Sequence, residues 1–591
     1  MLRDSLCGTN CLPVSCSSMG QIVFEKSASS ANLHIAPRSL PRLAVVGGGP
    51  AAVYLLKHLM TLGIAADVTI FEQNEMVGWG MPYTATNASD DLLANISSAE
   101  LPPLATSLHA WLLSLSDTQL SQFKLQREQV SPTEYYPRHV LGEYFAAQFT
   151  MLAQAYGARG GKVTARTSHH VDDVVPNANG HHVLFSTGRG HGASENFTCV
   201  VIASGHQHAK PTFLSKGENF FHSPYPLRNL RRITGGEIGI LGSALTAIDA
   251  ALHVARCAGR FVAHNHGLAY HLDEHRAPFR ITMMSRKGLL PELDFYYPLP
   301  LTPLEHLRHE AVSKMVEGGQ PHLLEKAFLL FKRDLAAAVG NEHPLLKGGI
   351  EQFHFQYFAA RAAQNPFIWA HAELPKRKLG HTEKKADPQK LAILKAHQIF
   401  ESLYAHLTPP EQETFNAFLK PVFTDNYTAI PLHSVEKLLA LHDAGCLEIA
   451  TTGSAYQLYG DARDIYLKGD GRTRKFQWLV DGTGQKALAI QELPFPILSS
   501  LMQMPLEWHI HATQRSEVES VQVDEAFQVL AQGSLIKNLF VVAAPFLLHQ
   551  LPFAQGLDSV NKLTQAVAHA LASAITGQGA NSECTKAGAA Q

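Results

Sequence analysis

Cysteine is scarce in this 591-residue chain: the seven residues Cys7, Cys11, Cys16, Cys199, Cys257, Cys446 and Cys584 are scattered, and no two form a C-x-x-C pair. That spacing offers no disulfide framework and no zinc ribbon, and it suits a reducing compartment, so a cytoplasmic protein is expected. Charge is in short supply and balanced, with 49 Lys+Arg against 51 Asp+Glu and a formal net charge of -2. Without a basic block there is no electrostatic footprint for nucleic acid, and a small-molecule ligand is the better expectation. Long apolar runs are missing too. The stretch LFVVAAPFLL from Leu539 ends at His549, well short of the roughly 18 residues a membrane-spanning helix requires, so no membrane partner is expected. G-x-S-x-G and H-E-x-x-H motifs are absent, which removes two common routes to hydrolysis. Residues 1–40, rich in Ser, Asn and Cys without periodicity, are expected to be a disordered extension or to follow from a start codon placed too early. Residues 579–591, rich in Gly and Ala, are expected to be a disordered tail.

What is present begins with LAVVGGGPAAVYLLKHL, Leu43 to Leu59. The apolar run Leu43 to Val46 reads as a strand buried on both faces, and Val53, Leu55, Leu56, Leu59 and Leu62 follow at helical spacing. Between them Gly47, Gly49, Pro50 and Ala52 fit G-x-G-x-x-G/A. In that pattern the first glycine makes a tight turn, the second lets the backbone approach a pyrophosphate, and the third position must be small for helix-strand packing. The helix N-terminus then faces the phosphate charge. Glu72 closes the next predicted strand, DVTIFE, 25 residues after Gly47. There a carboxylate accepts from ribose hydroxyls and repels a 2'-phosphate.

A second strand-turn-helix follows at EIGILGSALTAIDAAL, Glu237 to Leu252. Gly242, Ser243, Ala244 and Thr246 form its turn, with Ala244 where the middle glycine belongs. Its partner strand RITMMS ends at Ser285 and Arg286. A guanidinium in the place that Glu72 holds in the first unit pairs with the 2'-phosphate of NADPH, where an acid would select NADH.

Three further segments carry a resemblance: Gly78-Trp-Gly80-Met-Pro-Tyr83, then Tyr136-Pro-Arg138-His-Val-Leu-Gly-Glu-Tyr144, then the strand CVVIASG ending at Gly205. Over Leu43 to His206 the chain resembles the FAD-NAD(P)-binding family of flavoproteins, whose pattern runs glycine turn, Gly-x-Gly-x-x-Tyr, Pro-Arg-x-x-x-Gly-x-Tyr and a terminal Ala-Thr-Gly-like strand. Ser204 stands in for Thr. The resemblance implies bound FAD, with Gly78, Gly80, Tyr83 and Arg138 on the flavin side. Two such units resemble the two-domain flavoproteins that include flavin monooxygenases and pyridine-nucleotide disulfide reductases. The missing C-x-x-C counts against the latter. The linker KGENFFHSPYP, Lys216 to Pro226, is similar to the His-Ser-x-x-Tyr linker of N-hydroxylating monooxygenases, with Pro-Tyr225 following His222-Ser223 directly, and more loosely to the F-x-G-x-x-x-H fingerprint of related oxygenases, with Gly217 and His222 five residues apart rather than four.

The expected architecture is α/β: two Rossmann-like dinucleotide-binding domains for FAD and NADPH, the second inserted in the first, plus a mainly helical insertion. The boundaries are 41–210 and 486–578 for the FAD domain, 211–300 and 441–485 for the NADPH domain, and 301–440 for the helical region, where HP, NP, DP and TPP break long helical segments. The layout, including IPLHSVEKLLALHDAG, Ile430 to Gly445, resembles amino-acid N-oxidising members such as the aspartate N-monooxygenases. The resemblance implies a monooxygenase that takes dioxygen and hydroxylates the nitrogen of an amino acid or small amine through a peroxyflavin. A reductase with a non-oxygen acceptor and a non-catalytic nucleotide-binding protein stay open. His264, His266, His271 and His275 have near-ligand spacing, with His271 and His275 expected on one helical face, but no third donor is evident and no metal is expected. The basic run KRKLGHTEKK, Lys376 to Lys385, is expected to be a solvated loop, with an entry patch for an anionic substrate as the second reading. The sequence does not identify a catalytic side chain or an oligomeric state.

Overall fold

The computed structural model describes residues 40–576 apart from 85–86, 88–91, 178, 188–191, 208–218, 265–266, 461–462, 489–520 and 532–533. The expected terminal extension (save Leu40), the expected tail, Lys216 to Glu218 of the linker and His266 therefore lie outside the described residues.

Two sheets organise the chain, the first parallel except for an antiparallel edge and the second parallel throughout. The first opens with β1 (Arg42–Val46), α1 (Pro50–Thr61) and β2 (Asp67–Phe71), continues through the long helix α2 (Arg138–Ala158) to β3 (Lys162–Arg166), and adds β4 (Cys199–Ile202). β1 pairs in parallel with β2 on one side and β4 on the other, as a strand must when both its faces are apolar and covered. The second sheet is built from β5 (Phe220–Phe221), β6 (Gly236–Leu241), α3 (Leu245–Ala258) and β7 (Phe279–Ser285).

The helical region follows, with α4 (Leu323–Val339), α5 (Ile350–Ala362), α6 (Pro366–Glu383), α7 (Pro388–Tyr404), α8 (Lys420–Tyr427) and α9 (Leu432–Asp443). Proline starts α6 and α7, where its missing N–H costs nothing, and Asn365 and Asp387 cap the two helices by accepting from the next free N–H groups. β8 (Leu447–Thr451) and β9 (Trp478–Asp481) then complete the second sheet in the order β8-β7-β6-β9-β5, parallel throughout. Last, β10 (Gln522–Val523), β11 (Gln528–Ala531) and β12 (Ser534–Val541) return to the first sheet, whose order is β10-β11-β12-β4-β1-β2-β3, and α10 (Leu557–Thr576) packs on α1. The second sheet's strands are thus inserted in sequence between those of the first.

Each layer has its own apolar core: one around β1, α1 and α2, a second around β6 and α3, and a third inside the helical region. Phe553, from the stretch between β12 and α10, is buried in the third core and ties the helical region to the first sheet.

Two expectations are corrected. The run Lys376 to Lys385 is not a loop: it continues α6 through Glu383, with Lys384 in a left-handed cap, and its first three charges are paired. Lys376 and Arg377 reach Glu373 at 2.8 and 2.9 Å, and Lys378 reaches Glu436 on α9. His271 and His275 do not share a helical face. His271 lies on an antiparallel hairpin strand, Gly267–Leu272, and His275 in the short helical turn Glu274–Arg276, because HGLAYHL alternates with a period of two.

Candidate active site

In open parallel sheets, ligands settle beyond the carboxyl ends of the strands. At that edge of the first sheet, Gly47 has φ of +105°, and a Cβ there would stand 2.3 Å from the carbonyl oxygen of Ala203 at the end of β4. Only glycine fits. Gly49 is different: it caps α1 in an extended conformation, and a Cβ would meet nothing closer than the Gly80 Cα at 3.4 Å. The space left beside it is what a phosphate needs. Pro50 takes the first helical position, and Ala52 is buried against the sheet.

Glu72 is buried at the end of β2. Its Oε2 accepts the Gly48 N–H at 2.8 Å, and its Oε1 accepts the Asn74 backbone and side-chain N–H at 2.8 and 2.6 Å. The carboxylate is held rigid with acceptor capacity to spare for hydroxyls. The Gly78 to Tyr83 loop folds over the turn: Gly78 donates to the Gly48 carbonyl at 2.6 Å, and Gly142 in α2 is bare where a Cβ would strike the Tyr83 carbonyl oxygen. Burial pushes the Tyr83 hydroxyl up to about 12, so it stays a neutral hydrogen-bonding group. Around this edge Trp79 Nε1, Ser204 Oγ and Gln207 Oε1 are buried without hydrogen-bond partners among the described residues. Gly205 continues β4 at φ +71° with open space beside it. A glycine cradle, a fixed carboxylate and unsatisfied donors and acceptors are the surroundings an FAD requires, and these residues fit it.

The second turn repeats the first. Gly242 has φ of +98°, and a Cβ would stand 2.7 Å from the Gly482 carbonyl oxygen at the end of β9. Ala244 caps α3 with φ -87° and ψ -175°, close to the -75° and -168° of Gly49. The backbone is unchanged; only the Cβ is added. Thr246 faces the backbone at Gly484. Ser243 is committed elsewhere, donating its hydroxyl to the Leu289 carbonyl at 2.7 Å, and Ser285 Oγ accepts from Gly288 to close the turn after β7. Arg286 is exposed, with no hydrogen bond or ion pair among the described residues. Lys287 next to it lies 3.0 Å from His354 Nε2 and over the Phe358 ring at 3.3 Å, and burial pushes its amine down to about 8.

Arg138 stands where sequence patterning gives no hint of its partner. At the start of α2 it is buried, with Nη1 donating to Asp249 Oδ2 on α3 at 2.5 Å and to the Tyr225 hydroxyl at 2.9 Å, and Nε donating to the Leu93 carbonyl. Tyr225 also donates to Asp249 at 2.7 Å. Burial opposes the charge on Arg138, and Asp249 more than offsets it, holding the guanidinium protonated. The pair thus joins the two sheet units rather than lying on the surface. Tyr225 belongs to the linker, whose His222 has a buried Nε2 without a partner. Asp249, a lone acid in the apolar stretch TAIDAAL, was missed, and its position in an apolar helix was the one available signal.

Two glycine turns of one geometry, one on each sheet, define the class, an α/β protein with two dinucleotide-binding units. Residues 44–207 match the family described as FAD-NAD(P)-binding, and residues 308–427 match the YdhS-like middle domain. The chain is 30% identical over 537 residues to the uncharacterized protein YdhS of Escherichia coli strain K12, covering 90% of this chain and 97% of that one, and it belongs to the same family. Its outline is similar to solved structures at lower identity. These include the FAD-bound cadaverine monooxygenase DfoA of Erwinia amylovora (14% identity, TM-score 0.49, 90% of this chain and 94% of that one). The ornithine N-hydroxylase KtzI of Kutzneria sp. 744 is another (12% identity, TM-score 0.47, 91% and 99%). Among the described residues no helix is long and apolar enough to cross a membrane.

Proposed function

We propose that the protein is an NADPH-dependent flavin monooxygenase that oxygenates the nitrogen of a small amine or amino acid. The observation that carries this reading is the pair of glycine turns at the carboxyl edges of two joined sheets, in a chain with no C-x-x-C to take electrons from a flavin. The His-Ser-x-x-Tyr-like linker supports the choice of nitrogen. Bound FAD supplies hydride acceptance and oxygen activation; the chain's own residues do the rest. Gly47, Gly49, Pro50 and Ala52 seat the FAD pyrophosphate at the start of α1, and Glu72 orients the ribose. Gly78, Gly80 and Tyr83 close over that turn, with Gly205 at the end of β4. In the second unit Gly242, Ala244 and Thr246 shape the NADPH pyrophosphate turn, Ser243 and Ser285 fix its loops, and Arg286 offers its free guanidinium to the 2'-phosphate. Arg138 supports the flavin side indirectly, through its pair with Asp249.

The test is optical first. Purified protein is yellow and bleaches anaerobically on NADPH. Oxygen uptake stimulated by an amine, with a product one oxygen heavier by mass spectrometry, supports the monooxygenase; NADPH oxidation insensitive to every amine points to a reductase instead.

A further inference from the structure

Resting on that reading, we infer that the amine is held where α7, the end of α8 and the stretch between β12 and α10 meet, with Glu401 as counter-ion to its ammonium group and His397 and Tyr427 as hydrogen-bond partners. His397 and Glu401 are four residues apart on α7, so they share one face. The Tyr427 ring stacks on His397 at 4.5 Å and 20°, and Phe553 meets His397 edge-on at 4.6 Å and Tyr427 at 5.7 Å.

Among the described residues nothing satisfies the polar atoms gathered there. His397 Nε2 is a buried atom without a partner, and neither the Glu401 carboxylate nor the Tyr427 hydroxyl has a hydrogen bond among the described residues. Four other carboxylates, three of them buried and Asp425 nearly so, are treated differently. Asp249 has Arg138, Glu292 has Lys390, Asp425 has Arg361, and Asp334 accepts three backbone N–H groups at 2.8 to 2.9 Å. Glu401 is half-buried, and a partly desolvated carboxylate without a partner is disfavoured in its charged form, which a bound cation offsets.

The local charge selects the ligand. Burial pushes the His397 imidazole down to about 3, so it is neutral, and the Tyr427 phenol is pushed up and stays neutral too. Lys562 and Asp558, the nearest other charges, neutralise each other at 2.7 Å. Burial raises the Glu401 carboxyl as well, so its charged form needs a cation beside it, and the aromatic walls suit an ammonium on a short carbon chain. The place is also right. Phe553 leaves the carboxyl edge of the first sheet, where the glycine turn lies, and α10 is fastened to α1 by His58 and Asn561 at 3.0 Å.

Calorimetry on the flavin-containing protein, with putrescine, L-lysine and n-butylamine as probes and n-butanol as the uncharged control, tests the assignment. Expected: at least one amine binds and butanol does not; Glu401→Gln weakens that binding tenfold or more, Glu401→Asp recovers part of it, and flavin content and thermal midpoint of Glu401→Gln are not lowered. Amine binding unchanged in Glu401→Gln overturns the site, and if wild-type protein still yields an oxygenated amine the proposed function survives that loss. Flavin lost from Glu401→Gln also overturns it, by assigning the cluster to the cofactor. A wild type that binds none of the probes sinks the site together with the amine reading, while the colour and bleaching still report an FAD oxidoreductase.

Discussion

At the scale of single residues, Gly47 and Gly49 look alike in sequence and do different work. A methyl group on Gly47 meets a carbonyl oxygen and demands a left-handed conformation, whereas one on Gly49 makes only an ordinary contact with Gly80 at 3.4 Å. Gly47→Ala is therefore expected to lower the thermal midpoint by several degrees, since a strained position costs about 1–3 kcal/mol, and to be purified without flavin. Gly49→Ala is expected to keep its midpoint and still lose most of its yellow colour. Equal behaviour of the two in a melting curve would refute the distinction. Arg286 gives a second residue-scale outcome. Loss of charged hydrogen bonds to a phosphate is worth about 1.5–3 kcal/mol, so Arg286→Ser is expected to raise KM for NADPH roughly 10- to 100-fold and to leave KM for NADH nearly unchanged. These residues were legible because glycine spacing and the residue closing the next strand are local properties. Ser243 was not, because nothing in the sequence says that its hydroxyl turns to Leu289.

At the scale of elements, the loop after β7 is locked to the helical region by buried charge. Glu292 is 3% exposed and accepts from Lys390 at the start of α7 at 2.6 Å, with Arg377 of α6 at 3.6 Å. On the same loop the Leu290 carbonyl accepts from Arg361 of α5, which also pairs with Asp425 of α8. Removing one partner from a buried pair leaves the other uncompensated and costs about 3–5 kcal/mol, whereas replacing both with apolar residues is often neutral. Lys390→Ala is thus expected to lower the thermal midpoint sharply, and Lys390→Met combined with Glu292→Leu to restore most of it. A single variant that melts like wild type would show that the pair contributes nothing. Periodicity revealed the helices but not this packing, because a lysine in QKLAILK reads as a solvent-facing residue and its partner lies 98 positions away. The same blindness made a loop of Lys376 to Lys385: net positive charge was visible, and its acidic partners Glu373, Asp387 and Glu436 were not.

At the scale of the whole molecule, the proposed function requires the nicotinamide of the second unit to meet the flavin of the first, which makes the orientation of the two sheets a functional quantity. Arg138, Asp249 and Tyr225 are placed to set it, one each from α2, α3 and the linker, with the Arg138 and Asp249 side chains only 10% and 8% exposed. Asp249→Asn keeps the shape but leaves Arg138 charged and unbalanced, so both stability and orientation are expected to suffer. The double variant Arg138→Met with Asp249→Leu separates the two effects: an apolar pair restores stability without the directional bonds that fix the angle. Its thermal midpoint is therefore expected near the wild-type value. Anaerobic reduction of its flavin by NADPH, followed in a stopped-flow instrument, is expected to be slowed about tenfold, which corresponds to about 1.4 kcal/mol in the barrier. Reduction of the same flavin by dithionite, which needs no second unit, is expected to be unchanged. If the double variant accepts hydride at the wild-type rate, the buried pair stabilises the fold and has no part in aligning the two units.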